Sequence, residues 1–320
     1  MISDTANFAS VFVAVVAEPI TFLASPHKRI FWLYLLSSAF IAIVVMWIKK
    51  DSLRLVVQKV VTPRLWLHRS SLHDFQWLFF NHALRVFLVV PILGGSLSLA
   101  IIINRWLLQT FGPGNFWLLP EIWVSLAFTV VLFLAEDFSR FLTHYAFHKI
   151  PHLWRFHAVH HSAEILTPVT LYRIHWLEMM VSSVRGLVVL ASVSAVFMYC
   201  LDNPIGLIDI LGVSVFHFFF NMLGANLRHS HVWLGFGKFE KWLVSPAQHQ
   251  IHHSVDAAHI DKNFGATLAI WDRMFGSWLA SKRQEVTHFG LVAKQAETLQ
   301  SLPENFWGQC YKNIYYKNKS

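Results

Sequence analysis

Long uncharged stretches alternate along this chain with short polar ones, and the stretches have helical rather than strand length. Ile30 to Ile48 is nineteen residues without a charge, a helix of roughly 28 Å at 1.5 Å per residue, which matches a bilayer core. Before it, Phe8 to Ala24 is apolar but carries Glu18 and Pro19, so it reads as an interfacial or short spanning segment. Val86 to Ile103 is a second span, with Pro91 and the Gly94, Gly95 pair able to kink it. Arg105 to Asn115 holds Gly112, Pro113 and Gly114 and reads as an outer turn. A third span covers Phe116 to Glu136, with Glu121 near its outer end. Gly186 to Leu201 and Ile205 to Leu223 form a helical hairpin around Asp202, Asn203 and Pro204. The pattern predicts an all-α, polytopic membrane protein with about four to six transmembrane helices.

Composition agrees. Of 320 residues 55% are apolar and 14% charged, outside the range of ordinary soluble domains. The net charge of +8 is not a nucleic-acid signature, because the basic residues sit beside hydrophobic runs and form no stripe with exposed aromatics. Lys49, Lys50, Arg54, Lys59, Arg64 and Arg69 follow the first span, against Lys28 and Arg29 before it, so residues 49–74 are a basic cytoplasmic segment facing anionic lipid. Within it, Leu53 to Val61 reads as an amphipathic surface helix ended by Pro63. Parity then returns the chain to the cytoplasmic side at Asp137. The N-terminus shows neither a basic leader nor a small-residue cleavage site. Cys200 and Cys310, one in an apolar run and one in a polar tail, make no disulfide framework.

The chemistry lies in the histidines. Asp137 to Ser162 reads DFSRFLTHYAFHKIPHLWRFHAVHHS, with His144 and His148 four apart and His157, His160 and His161 as HxxHH. SPAQHQIHHS repeats HxxHH at His249, His252 and His253. Residues three or four apart share a helix face, and eight imidazoles so placed are double what one tetrahedral zinc takes. The count points to two metal ions, while imidazole donors suit iron, zinc, copper or nickel alike. Asp137, seven residues before His144, lies on the same helical face and is a candidate to orient it. Asn226, three before His229, is a candidate to orient that residue, and Glu178, Asp256, Asp261 and Asp272 are further carboxylates of this kind. His217, Asn221 and Arg228 fall at helical spacing and can line a cavity. His152 follows the helix-breaking Pro151 and is set aside; His27, His68, His73, His82, His259 and His288 read as surface residues.

The motifs HxxxH, HxxHH and a distant HxxHH, together with ANLRHSHVWL and DKNFGATLAIWDRMFGSW, resemble the fatty acid hydroxylase and sterol desaturase superfamily, and its bacterial sterol desaturase members most. The similarity covers roughly Asp137 to Leu279. It implies a non-haem di-iron oxidase that uses dioxygen to hydroxylate or desaturate a sterol, fatty acyl or alkyl lipid. Carried over, it assigns metal binding to His144, His148, His157, His160, His161, His249, His252 and His253, and a ninth ligand to His229. A tenth ligand, frequent in such proteins, falls on His231, with His217 and His175 behind it. In RIHWLE, the resemblance gives His175, Arg173 and Glu178 a supporting place around the ligands.

These readings divide the chain into an N-terminal transmembrane region (1–136), a catalytic domain (137–279) containing the hairpin at 186–223, and a C-terminal cytoplasmic tail (280–320) that rests on the membrane or caps the site. No dinucleotide fingerprint or haem-attachment motif is present. Electrons must then come from a separate ferredoxin, b-type cytochrome or reductase. The expected setting is a bacterial inner membrane with the site facing the cytoplasm. A metallohydrolase lacks its HExxH-type carboxylate here, and a metal transporter would place ligands on broken helices at the bilayer midplane, whereas most of these histidines follow the spans.

Overall fold

The computed structural model describes residues 8–52, 54, 55, 62–89, 95–114, 119–201, 206–282, 286 and 288–291. The helices are α1 (Phe8–Thr21), α2 (Trp32–Ile48), α3 (Arg69–Leu84), α4 (Ser96–Phe111), α5 (Glu121–Lys149), α6 (Pro151–His161), α7 (Trp176–Cys200), α8 (Val215–Met222), α9 (Pro246–His252) and α10 (Ile270–Met274). Strand is limited, among the described residues, to a hairpin of β1 (Asp209–Ile210) and β2 (Val213–Ser214). The all-α expectation therefore holds.

Two helices among the described residues are long and apolar enough to cross a membrane, α5 with 29 residues and α7 with 25. They pack on each other, and α7 also packs on α4, where Ala100, Ala191 and Ala195 form a buried small-residue seam that lets the backbones approach closely. Helix α2 has 17 residues, about 26 Å. It exposes Trp32, Leu36, Phe40, Ile43 and Trp47 along one stripe, a large apolar face of the kind that marks contact with lipid or a partner.

Three expectations about spans change. The outer turn placed at Arg105 begins only at Gly112, because α4 continues to Phe111 and breaks where Gly112 takes φ 77°. Ile205 to Leu223 is not one helix. The β1–β2 hairpin turns through Leu211 and Gly212, both at positive φ, and only Val215–Met222 is helical; β-branched Ile208, Ile210, Val213 and Val215 with two glycines favour the short hairpin over a helix. Val86 to Ile103 is not one α-helix either, since Arg85–Val89 is a π-helical turn and α4 starts only at Ser96 after Gly95; in the Phe8 to Ala24 segment the Glu18 carboxylate meets His82 Nε2 of α3 at 3.0 Å. Pro91 and Gly94, most of Leu53–Val61, the Asp202–Pro204 turn and most of the tail lie outside the described residues.

One buried ion pair ties α3 to the centre of the fold. Asp74 on α3 is wholly buried and accepts from Arg173 Nε at 2.6 Å and from Thr170 Oγ1 at 2.6 Å. The Arg173 guanidinium also donates to Ser162 Oγ at 3.1 Å and to the Ser70 carbonyl. Removing one partner of such a pair strands the other charge, so Asp74→Ala is expected to destabilise the fold by about 3–5 kcal/mol. Thermal unfolding in detergent checks this; an unchanged midpoint would show the pair to be dispensable.

Candidate metal centre

The nine histidines converge because the chain turns sharply between α5 and α6. His144 and His148 share a face in the last turns of α5. Ile150, extended at φ −99°, ψ 112°, precedes Pro151, which takes the first position of α6; proline disfavours helix in the residue before it and suits the start of the next helix. The corner folds α6 back so that HxxHH meets HxxxH.

Helix α9 brings in the second HxxHH. Ser245 caps it by accepting from Gln248 N at 3.1 Å, while the Gln248 side chain accepts from Ser245 N at 3.0 Å. The buried Glu240 carboxylate fixes this cap, accepting from Ser245 Oγ at 2.7 Å and Ser281 N at 2.9 Å. Gln250 Nε2 donates to the carbonyls of Leu227 and Val232 at 2.9 and 3.0 Å, which locks α9 to the 3-10 turn Ala225–His229. The first residues of the tail pack here too: Val286 joins Trp233, Ala247 and Ile251 in one buried cluster.

The result is two groups. His144, His148, His157, His161 and His252 offer ligand nitrogens within 4.8 Å of one another, and so do His160, His229, His249 and His253. Each HxxHH motif is split. From α6, His157 and His161, four apart, join the first group and His160 the second; from α9, His249 and His253, four apart, join the second and His252 the first. At 100° per residue, neighbouring positions face directions about a quarter-turn apart, so each motif serves two centres. The groups abut, with the His161 and His253 rings stacked at 4.5 Å.

Outward-facing nitrogens are tied down. His144 Nδ1 donates to the Phe264 carbonyl at 2.7 Å, His252 Nδ1 to the Lys262 carbonyl at 2.9 Å and His160 Nδ1 to the Arg173 carbonyl at 3.2 Å. His157 Nδ1 donates to Glu178 Oε1 at 2.8 Å. These acceptors place the proton on Nδ1 and leave Nε2 as a lone pair. Burial lowers the pKa of His157 and His160 to about 3 and pushes His161, His229, His249, His252 and His253 down in the same direction. They are thus neutral at physiological pH, the form that ligates metal.

The inward nitrogens lack protein partners suited to them. Nε2 of His148, His161 and His252 are buried without a hydrogen bond, an arrangement costly unless something occupies the space between them. In the second group the Nε2 atoms of His229, His249 and His253 form a triangle with sides of 3.1–3.2 Å. Nitrogens about 2.0–2.1 Å from one ion stand about 2.9–3.4 Å apart at octahedral to tetrahedral angles. The donor set therefore fits two ions.

Of the residues expected to orient ligands, Glu178 touches His157 at 2.8 Å, and Asp261 lies 3.6 Å from His148 Nδ1. Asp137 does not reach His144. Its carboxylate accepts from Thr267 N, Leu268 N and Trp271 Nε1 at 2.9–3.0 Å, because α5 is held against the 264–268 loop rather than presenting that face to its own histidine. Asn226 donates to the Arg29 carbonyl at 2.9 Å instead of to His229, and Arg29 donates to the Ala225 carbonyl at 2.6 Å; both brace the turn. None of His231, His217 and His175 belongs to either group. His175 caps α7 by accepting from Leu177 N, His217 lines a cavity between α5 and α7, and His231 lines an apolar cavity behind α2. His82 and His259, expected at the surface, are buried.

Asp272 on α10, named among the candidate carboxylates, acts through the loop after α9, and the sequence did not show that backbone carbonyls of this loop would be the partners of the histidines. Asp272, wholly buried, accepts from Phe264 N and Gly265 N, both at 2.7 Å, and from Ser277 Oγ at 2.6 Å. This clamp aims the Lys262 and Phe264 carbonyls at His252 and His144. A Cβ on Gly265 would come within 2.7 Å of Asp272 Oδ2 and of Val244 Cγ2, so only glycine fits.

Residues 129–277 match the family model described as fatty acid hydroxylase, a stretch that contains all nine histidines. Over this stretch, a little under half of its length, the chain is similar to the fatty acid hydroxylase family. Among the proteins it resembles, ornithine lipid hydroxylase OlsE of Rhizobium tropici is 30% identical over 185 residues, 57% of this chain and 50% of that protein. Alkylglycerol monooxygenase of Homo sapiens is 28% identical over 198 residues, 60% of this chain and 40% of that protein, and its Danio rerio counterpart 30% over 165 residues, 51% and 33%. The matched stretch spans half or less of these curated relatives. No solved structure matches the chain.

Proposed function

We propose that this chain is a membrane enzyme that uses two iron ions and dioxygen to hydroxylate or desaturate a lipid carbon, whether of a sterol, an acyl chain or an alkyl ether. The observation that carries the reading is the pair of adjoining, buried, all-histidine groups whose inward nitrogens lack other partners. Iron held in both groups supplies the electron and dioxygen chemistry needed at an unactivated carbon–hydrogen bond. The protein's own residues do the rest: His144, His148, His157, His161 and His252 hold one ion, His160, His229, His249 and His253 the other, and Glu178 with the Lys262, Phe264 and Arg173 carbonyls keeps His157, His252, His144 and His160 in one tautomer. Among the described residues no carboxylate joins either group, which argues against a hydrolase needing a general base beside the metal. The activities for which these relatives are named, a lipid hydroxylase and a monooxygenase, support oxidation of a lipid.

Helix lengths support the proposed setting. A bilayer core takes about 20 residues, so in α5 such a span starting at Glu121 ends near Arg140, and His144 and His148 emerge just beyond it. We assign this side to the cytoplasm from the basic residues 49–69, and the membrane to a bacterial inner membrane. Residues 1–136 then anchor the catalytic unit 137–279, with 280–320 a C-terminal cytoplasmic tail. Reducing equivalents come from a separate ferredoxin, b-type cytochrome or reductase.

Metal analysis of the purified chain together with oxygen uptake in the presence of lipid and a reductant tests the proposal. Two irons per chain and lipid-dependent oxygen uptake are expected. Stoichiometric zinc with turnover that needs no dioxygen would overturn it.

A further inference from the structure

Between α5 and α7 lies a cavity of about 710 Å³ whose walls include Arg85, Arg140, Arg185, Glu136 and His217. Glu136 Oε2 pairs with Arg185 Nη1 at 2.9 Å and Arg140 Nε at 3.3 Å, and one carboxylate cannot neutralise three guanidinium groups. Arg85, at the end of α3, has no carboxylate within 4.0 Å among the described residues. Surplus cations gathered on one wall of a cavity favour an anionic occupant.

The cavity is graded along both helices. On α5, Leu132 and Phe133 are followed by Glu136 and Arg140; on α7, Arg185 is followed by Leu187 and Leu190. Because α5 ends at the histidines and α7 begins beside them through Glu178, Glu136, Arg140 and Arg185 lie nearer the metal groups than Leu132, Phe133, Leu187 and Leu190 do, with Ile174 and Met179 the apolar residues at the near end. Glu136, Arg140, His144 and His148 fall at four-residue intervals on α5, so Arg140 is one turn, about 6 Å, from His144.

We propose that this cavity binds the phosphate headgroup of an anionic phospholipid, and that the enzyme thereby selects such a lipid as its substrate; the second clause rests on the function proposed above. Guanidinium forks match phosphate oxygens in pairs. The apolar wall accommodates the start of the tails, and the grading sets the headgroup toward the histidines.

The test uses the full chain in detergent, loaded with phosphatidylglycerol or phosphatidylcholine and read by native mass spectrometry, beside the Arg85→Gln/Arg140→Gln double variant, whose two altered residues are both exposed. The wild-type chain is expected to retain phosphatidylglycerol over phosphatidylcholine by about tenfold, and the variant to lose at least about fivefold of that preference, with its metal content unchanged. Equal retention of the two lipids by the wild type, or an undiminished preference in a folded variant, overturns the proposal. Displacement of the lipid by millimolar inorganic phosphate overturns it in favour of a free-anion site. A chain that prefers phosphatidylglycerol but holds no iron would refute only the oxidase reading, and a two-iron chain without lipid preference would refute only this one.

Discussion

Replacing His253 with alanine is expected to leave the purified chain with one metal ion instead of two and to abolish oxygen uptake. His253 is one of four donors in its group. If about 10–16 kcal/mol of binding is shared by four ligands, each carries roughly 3 kcal/mol, or at least about a hundredfold in affinity. His148→Ala, in the group of five, leaves four donors and is expected to retain its ion more firmly, with affinity falling by less than in His253→Ala. Metal content after dialysis against a graded chelator reads both. Loss of both ions together in His253→Ala would mean that the two groups act as one centre, and equal retention in both variants would contradict the division into five and four.

Asp272→Asn is expected to act on one group and spare the other. The amide keeps one acceptor but sets a donor against the Gly265 N–H, a buried conflict that costs about 1–3 kcal/mol. The loop must shift, and with it the Lys262 and Phe264 carbonyls that orient His252 and His144. Both imidazoles belong to the five-histidine group. Loss of such an orienting partner lowers metal affinity roughly 10–100-fold. One ion should therefore dissociate more readily while the second stays; an equal effect on both ions, or none, would show that the clamp does not tune the ligands. The spectroscopic signature of the retained ion should match that of the wild-type chain.

Sequence spacing located the site but not its wiring. His144 with His148 and the two HxxHH motifs are visible as repeats because helical geometry makes neighbours of residues three and four apart. The same logic suggested that Asp137 serves His144, and it failed there. A face shared along a helix can be covered by another segment, and the backbone of Thr267 and Leu268 reached Asp137 first. Glu178 meets His157, and nothing local in the sequence indicated that this histidine would be its partner. The Asp74–Arg173 pair joins residues 99 apart and left no periodic signal.

The spans followed the same rule. Uncharged length marked α5 and α7, whose apolar faces need no particular neighbour. It misjudged Ile205 to Leu223, where β-branched residues and Gly212 made a hairpin as favourable as a helix. The sequence by itself determined a mostly helical chain with apolar spans, clustered imidazoles and a resemblance to the fatty acid hydroxylase family, since these depend on composition and on repeats within a single helix. The tertiary structure alone decided how the imidazoles divide into five and four, which carbonyls and carboxylates orient them, and where the arginines gather, because each of these is a contact between segments distant in the chain.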